Sequence, residues 1–136
     1  MVSVEHNFGT LERLAITGVS HIELHVSDLD ASIAWYATVV GLMQVQAGPG
    51  RRAQLAPESD AFRLGLTETD PADVHEGFGH LAIALGSMDV LMGWVEHLDA
   101  IGVPHTPIKE NPYRPGVFSI DVFDPDGHEI ELIFEP

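Results

Sequence analysis

The sequence predicts an α+β protein built from two copies of one βαβββ module. Three observations predict it: an internal repeat, an alternating strand followed by a capped helix in each copy, and turn signals between shorter strands. The chain has 136 residues, which is the length of one domain and enough to bury a core without covalent cross-links.

The repeat appears when the segment that starts at Gly18 is set beside the segment that starts at Gly77. Residues match at a constant offset of 59 positions, and the matched residues include two histidines and two tryptophans. A period this long is not typical of a solenoid of many copies. It predicts two copies of one supersecondary unit. The matched pairs are Gly18 with Gly77, His21 with His80, Asp30 with Asp89, and Trp35 with Trp94.

Each copy begins with a strand, predicted over 19–26 and 78–85, because apolar residues alternate there with other residues. A helix follows each strand. Asp28 or Ser27 can cap the first helix, and Gly41 stands where that helix should end. Ser87 can cap the second helix, and Gly102 stands where it should end. The apolar residues that alternate are Ile22, Leu24 and Val26 in the first copy, and Leu81, Ile83 and Leu85 in the second.

Three shorter strands are predicted after each helix. The last two are joined by Asp124-Pro125-Asp126-Gly127, a strong turn signal. The modules therefore cover 17–67 and 77–136 of a single domain, with 68–76 as a linker and 1–16 as a tail. The shorter strands are placed at 42–47, 51–56 and 62–67 in the first module, and at 105–109, 116–123 and 128–135 in the second.

Composition restricts the possible partners. The net charge is −15, from 21 acidic and 6 basic residues, so the surface repels nucleic acid and anionic membranes and attracts cations. There is no cysteine, so a metal would need His, Asp or Glu ligands. The sequence contains neither an apolar stretch long enough to span a bilayer nor a signal peptide at its start. We therefore expect a cytoplasmic protein without nucleic-acid or membrane partners.

Side chains in a strand alternate between two faces, so the polar residues of several strands share the face opposite the apolar residues. Two histidines related by the repeat and a carboxylate on that face predict a metal site with two His ligands and one carboxylate ligand. A solvated sheet face without function shows the same alternation. The polar residues are His21, Glu23 and His25 in the first strand, His80 in the fifth, Asp121 in the seventh, and Glu129 and Glu131 in the eighth.

The segments HIELHVSDLDASIAWYATVVGL and FDPDGHEIEL resemble the opening and closing motifs of the vicinal oxygen chelate superfamily, and the resemblance covers about residues 18 to 135. That superfamily includes glyoxalase I, extradiol dioxygenases, fosfomycin-modifying enzymes and bleomycin-binding proteins. The resemblance implies an open, cup-shaped mixed sheet with helices outside. It also implies one divalent metal per site, held by His21, His80 and Glu131.

Glyoxalase I uses a fourth ligand on the fourth strand. Aligning FRLGL (62–66) with HEIEL (128–132) places Gly65 at the position that corresponds to Glu131. Glycine cannot bind a metal through a side chain, so this departure argues against the usual four-ligand glyoxalase I chemistry. Glu68 would be the corresponding residue if the register is shifted.

The ligand set suits Fe(II), Mn(II), Ni(II), Zn(II) or Co(II), and the arrangement of two histidines and one carboxylate favours Fe(II). We expect a metal-dependent lyase, isomerase or dioxygenase acting on a small molecule that chelates the metal through two neighbouring oxygens. Glu23, His25 and Asp121 are candidates for proton transfer or for orienting a ligand imidazole. Tyr113 and Arg114 are candidates for binding the substrate.

Two other functions fit the sequence. The first is a non-catalytic acidic protein that sequesters a cationic drug, as bleomycin-resistance proteins do, and the second is a vestigial module with a regulatory or scaffold role. By resemblance we expect a homodimer, and His21 and Glu131 of one site would belong to different chains if the modules are swapped. The remaining histidines are interpreted as surface or turn residues, namely His6, His75, His97, His105 and His128.

Overall fold

The computed structural model describes residues 19–74 and 80–136. Predictions that fall on the N-terminal tail and on the end of the linker lie outside the described residues. Two βαβββ modules follow one another, as the sequence predicts. The first module comprises β1 (His21–Val26), α1 (Leu29–Val39), β2 (Met43–Ala47), β3 (Arg52–Ala56) and β4 (Arg63–Glu68). A 3₁₀ turn (Pro71–Asp73) follows it. The second module comprises β5 (His80–Leu85), α2 (Met88–Ala100), β6 (Lys109–Glu110), β7 (Phe118–Phe123) and β8 (Glu129–Phe134).

Each module forms its own four-stranded sheet, in the order β1-β4-β3-β2 and β5-β8-β7-β6. The first strand of each module is parallel to the last, and the other pairs are antiparallel. Glu23 on β1 lies opposite Gly65 on β4, and Ala82 on β5 lies opposite Glu131 on β8. The correspondence between Gly65 and Glu131 is therefore confirmed, because each lies beside the residue two positions after the histidine of the repeat.

The helix boundaries follow the predicted caps. The Asp28 carboxylate accepts a hydrogen bond from the Ala31 amide at 3.0 Å, so Asp28 and not Ser27 is the N-cap of α1. Ser87 caps α2. Gly41 and Gly102 follow the two helices with φ of 70°, a left-handed conformation that glycine adopts at little cost.

Strand β6 is shorter than predicted. The prediction placed it at 105–109, whereas the ladder with β7 contains only Lys109 and Glu110. Pro104 and Pro107 cannot donate to a ladder. The Thr106 hydroxyl accepts from the backbone amide of Asp121, so a side chain replaces one bond of a regular strand.

Both modules contribute to one apolar core, and polar contacts also join them. The Tyr36 hydroxyl donates to Asp124 at 2.7 Å, and His128 Nε2 lies 2.9 Å from the carbonyl oxygen of His25. The fully or almost fully buried members of the core include Leu24 on β1, Leu64 on β4, Ile120 and Val122 on β7, and Leu132 on β8.

The interpretation of the remaining histidines as surface or turn residues is wrong for His128, which is 2% exposed and bridges the modules. His97 on α2 is half-buried, and its ring lies 3.2 Å from two carbonyl oxygens at the end of α1. His105 is also half-buried and contacts the Asp99 carboxylate and the Thr106 carbonyl. All three histidines therefore make contacts within the fold. His6 and His75 lie outside the described residues.

No helix in the described ranges is both long enough and apolar enough to cross a membrane.

Replacing Gly93 by alanine is expected to raise the free energy of unfolding by about 0.5 to 1 kcal/mol, because glycine in a helix interior loses more backbone entropy on folding than alanine does. A Cβ on Gly93 would meet nothing within 4 Å outside its own helix, so the added methyl group has room. Urea denaturation of the Gly93→Ala variant and the parent protein measures the effect. A destabilised variant would contradict the prediction and would indicate that Gly93 faces a neighbour in solution.

Candidate metal centre

The first half-site consists of His21 and Glu23 on the exposed face of β1. His21 Nε2 lies 3.8 Å from Glu23 Oε1, and the two side chains are 46% and 47% exposed. The other ring nitrogen of His21, Nδ1, lies 3.1 Å from the Ser20 hydroxyl. Protein groups that bond one ring nitrogen orient the other toward a metal. The first half-site therefore presents an oriented imidazole beside a carboxylate.

The second half-site consists of His80 on β5 and of Glu129 and Glu131 on β8. His80 Nδ1 lies 3.5 Å from Glu129, and His80 Nε2 lies 3.7 Å from Glu131. The parallel register places His80 opposite Glu129, and the small Ala82 opposite Glu131 leaves space around that carboxylate. The imidazole thus lies between two carboxylates, of which Glu129 is suited to orient it and Glu131 to share a metal with it.

Asp121 on β7 lies next to this half-site, because it is opposite Glu131 in the antiparallel ladder. It is 3% exposed, and its Oδ2 accepts from Lys109 Nζ at 2.6 Å. This hydrogen bond is the main reason why the pKa of Lys109 is raised. Lys109 was not among the candidates predicted from the sequence, although its place at the end of a predicted strand was a usable signal.

The donor set fits a divalent transition metal. It consists of imidazole nitrogens and carboxylate oxygens, and this combination suits the divalent first-row metals. Asp121 Oδ1 is buried and has no hydrogen-bond partner among the described groups. Asp121 therefore has one buried carboxylate oxygen, on the strand beside Glu131, that could still accept a hydrogen bond.

The two half-sites belong to different sheets, and one chain does not join them into a metal site. Within 19–74 and 80–136, no three His, Asp or Glu side chains are grouped closely enough to hold a metal ion. Of the three ligands that the sequence predicts, the chain brings His80 and Glu131 together, whereas His21 is paired with Glu23.

The other candidate residues differ in their surroundings. His25 is exposed on the His21 face of β1. Tyr113 is 90% exposed, and Arg114 forms an ion pair with Glu135. None of the contacts in the described parts of the chain connects Tyr113 or Arg114 to either half-site, so their role in substrate binding stays a prediction.

Glu68 does not supply the carboxylate ligand that is missing at position 65. It lies opposite Val26, at the end of β4, and its carboxylate accepts hydrogen bonds from Arg51 and from the amide of Leu29. These bonds, the one from Arg51 first, lower the pKa of Glu68. Its role is to stabilise the start of α1, and the alternative register that would have made it a ligand is wrong.

A basic residue also lies close to the first half-site. Arg52 and Glu23 line a cavity of about 120 Å³ on the polar face of the first sheet. The Arg52 guanidinium lies 3.4 Å from the Thr67 hydroxyl and forms no ion pair with any described carboxylate. Arg52 was not predicted from the sequence, because it follows a Gly-Pro-Gly turn and arginines at such turns are usually solvated.

Comparisons with known proteins agree with this architecture. Residues 18–132 match the model of the Glyoxalase/Bleomycin resistance protein/Dioxygenase superfamily. A probable lactoylglutathione lyase of Synechocystis is 35% identical over 125 residues, which cover 83% of this chain and 92% of that protein. The antibiotic-binding protein TnmS3 of Streptomyces superposes with a TM-score of 0.73 at 25% identity, covering 90% of this chain and 98% of that one.

A fosfomycin resistance protein, FosX of Listeria monocytogenes, has been solved in complex with Mn(II) and sulfate. It superposes with a TM-score of 0.69 at 23% identity, covering 90% of this chain and 93% of that one. At this identity the likeness concerns the fold alone.

Proposed function

Because the chain belongs to the glyoxalase/bleomycin resistance protein/dioxygenase superfamily, we propose that it is a divalent-metal enzyme of glyoxalase or dioxygenase type. Its substrate is a small molecule with two neighbouring oxygens that chelate the metal. The observation that carries the proposal is the second half-site, where His80 lies between Glu129 and Glu131 at 3.5 and 3.7 Å. The similarity to a probable lactoylglutathione lyase supports it.

His21, His80 and Glu131 would hold the metal, with Ser20 and Glu129 orienting the two imidazoles. A divalent ion held there supplies Lewis-acid stabilisation of a developing oxyanion on the substrate. Proton transfer belongs to the chain's own groups, and Glu23, His25 and Asp121 are the candidates. Fe(II) stays our first expectation for the metal, with Mn(II), Ni(II), Zn(II) and Co(II) as alternatives, because imidazole and carboxylate ligands suit all of them.

We propose that the substrate is an anion. The chain has only 6 basic residues against 21 acidic ones, yet Arg52 lies beside the first half-site and Lys109 beside the second. Arg52 has no ion-pair partner among the described residues, so its guanidinium is available to a carboxylate or phosphate group of the substrate. The overall negative charge reduces the approach of anions, and the Arg52 guanidinium selects for them locally, whereas the charge of Lys109 is already paired with Asp121.

We propose further that the complete site forms between two chains of a homodimer. Each chain offers two half-sites that it does not combine within its described residues, and His21 and His80 are 46% and 48% exposed on the polar faces of their sheets. Phe123, which shares the face of Glu129, is 53% exposed. A second chain that places its first half-site on the second half-site of its partner would cover these surfaces and complete the ligand set.

The metal content of protein purified without a histidine tag tests the enzyme proposal. We expect about one transition metal per chain in the parent, and its loss in the His80→Ala and Glu131→Ala variants, because each variant removes one of a few strong ligands. Glu96→Gln, which removes a carboxylate from the exposed face of α2, is the matched control and should retain the metal. Parent protein that neither contains nor takes up Fe(II), Mn(II), Ni(II), Co(II) or Zn(II) would refute the proposal.

The second candidate function is a non-catalytic binder of a cationic drug. Two observations favour it: the net charge of −15 and the structural likeness to an antibiotic-binding protein. Calorimetric titration with bleomycin, a cationic glycopeptide, separates the two functions. Tight binding by metal-free protein, with no metal uptake, would support the binder, whereas metal uptake without drug binding would support the enzyme.

A further inference from the structure

We propose that Glu23 is the carboxylate ligand of the first half-site, replacing from strand β1 the ligand that the repeat would place at Gly65 on β4. The inference rests on the proposed metal function and names a ligand that this function does not include. The complete set would then be His21 and Glu23 from one module with His80 and Glu131 from the other.

The strand registers show an exchange of residue types between the modules. In the second module the small residue is on the first strand and the carboxylate is on the last, as Ala82 opposite Glu131. In the first module the carboxylate is on the first strand and the small residue is on the last, as Glu23 opposite Gly65. Residues directly opposite each other on neighbouring strands have Cβ atoms only about 5 Å apart. A glutamate on either strand therefore reaches the same region of the face.

Glu23 occupies the space that a side chain at position 65 would fill. A Cβ built on Gly65 would lie 2.7 Å from Glu23 Oε1, 2.8 Å from its Cδ and 3.0 Å from its Oε2. The carboxylate thus lies directly over the glycine and not alongside its own strand. Its Oε2 also lies 3.5 Å from the Thr67 hydroxyl, which helps to hold it in this position.

The backbone conformation at position 65 does not require a glycine. Glycine in the interior of a strand weakens it and often marks a close approach of another group. Gly65 is absent from the described glycines with positive φ, so an L-residue could adopt its backbone. The group that approaches is the Glu23 carboxylate, and the absence of a side chain at 65 is what allows Glu23 to lie there.

Glu23 lies at about the same distance from the histidine of its module as Glu131 does from His80. Glu23 Oε1 lies 3.8 Å from His21 Nε2, similar to the 3.7 Å between Glu131 and His80 Nε2 in the second half-site. The side chains that would be ligands thus form the same pair, an imidazole Nε2 facing a glutamate oxygen, in both modules.

The test measures Co(II) binding, by competition with a chelating indicator and by the visible absorption spectrum, which reports the ligand geometry. Glu23→Gln is expected to weaken Co(II) binding by more than about 100-fold, because a ligand should contribute more than the 10- to 100-fold of a group that only orients one. The double variant Glu23→Ala/Gly65→Glu moves the carboxylate back to β4 and is expected to restore the affinity to within about tenfold of the parent. Glu96→Gln is the control for loss of a distant charge.

Two results would overturn the inference. The first is a Glu23→Gln variant that binds Co(II) with unchanged affinity and an unchanged spectrum while His80→Ala and Glu131→Ala lose the metal. The proposed function would then stand, and Glu23 would not be a ligand. The second is a double variant that melts at the parental temperature but does not regain the metal, since positions 23 and 65 would then not be equivalent. Parent protein without metal affinity would instead refute the proposed function and the inference with it.

Discussion

Mixing a chain that carries His21→Ala with a chain that carries His80→Ala is expected to restore metal binding that neither variant has alone. If each site takes its first half-site from one chain and its second half-site from the other, a mixed dimer contains one site with both lesions and one intact site. When equal amounts are co-refolded and assort at random, about one site in four should be intact. The expected change is from almost no bound metal to about a quarter of the parental content.

A second mixture provides the control. His80→Ala and Glu131→Ala both alter the second half-site, so every site in their mixed dimers lacks one of these ligands. Metal analysis of both mixtures, with dimers verified by native mass spectrometry, gives the comparison. Equal and negligible metal in the two mixtures, from a parent that binds metal, would show that each site forms within one chain. The single chain would then have to rearrange, since its described residues do not bring three ligands together.

Local sequence signals were sufficient to predict most of the fold. Asp28 and Ser87 cap helices, and Gly41 and Gly102 end them, because the caps depend on residues only a few positions away. The short strand β6 could not be placed in this way. Its preceding segment is bonded to β7 partly through the Thr106 side chain, a contact that depends on tertiary position and not on alternation.

The candidate site was predictable in part. Alternation in β1 and β8 predicted that His21, Glu23 and Glu131 lie on the polar faces, and their exposure and contacts agree with this. Two features could not be predicted from the sequence. The separation of the half-sites depends on how whole modules pack, and the position of Glu23 over Gly65 depends on a rotamer and on a register between strands that are far apart in the chain.

The surface position predicted for His128 was wrong because the prediction considered only the neighbouring turn. It follows an Asp-Pro-Asp-Gly turn, and turn residues are usually exposed, so the sequence favoured a surface position. Its ring is instead near the carbonyl oxygen of His25, which lies 103 positions earlier in the chain. The turn packs against the first module, and the same turn supplies Asp124 to Tyr36.

The contact between Tyr36 and Asp124 should be the most sensitive point for stability. Asp124 is 5% exposed, and its carboxylate accepts from the Tyr36 hydroxyl at 2.7 Å and from the amides of Asp126 and His128 at 2.9 and 2.8 Å. Burial, followed by the charge of Asp124, raises the pKa of Tyr36 far above its usual range, so the phenol remains a hydrogen-bond donor. One carboxylate therefore fixes both the last turn and the junction between modules.

Asp124→Ala is expected to lower the free energy of unfolding by about 3 to 5 kcal/mol, because it leaves a buried hydroxyl and two amides without their acceptor. Tyr36→Phe, which keeps the ring and removes only the donor, should lower it by about 1.5 to 3 kcal/mol. Tyr113→Phe is the matched control, since Tyr113 is 90% exposed, and it should change stability by less than about 0.5 kcal/mol. Urea denaturation of each variant provides the measurement.

The shape of the urea unfolding transition shows whether the two modules unfold together. If the junction couples the modules, Tyr36→Phe should shift a single cooperative transition, and Asp124→Ala should shift it further or divide it into two. The energies of Tyr36→Phe and Asp124→Ala should also not add in the double variant, because both remove the same hydrogen bond. Additive effects, or a Tyr36→Phe variant as stable as the control, would show that the shared apolar core and not this hydrogen bond holds the two modules together.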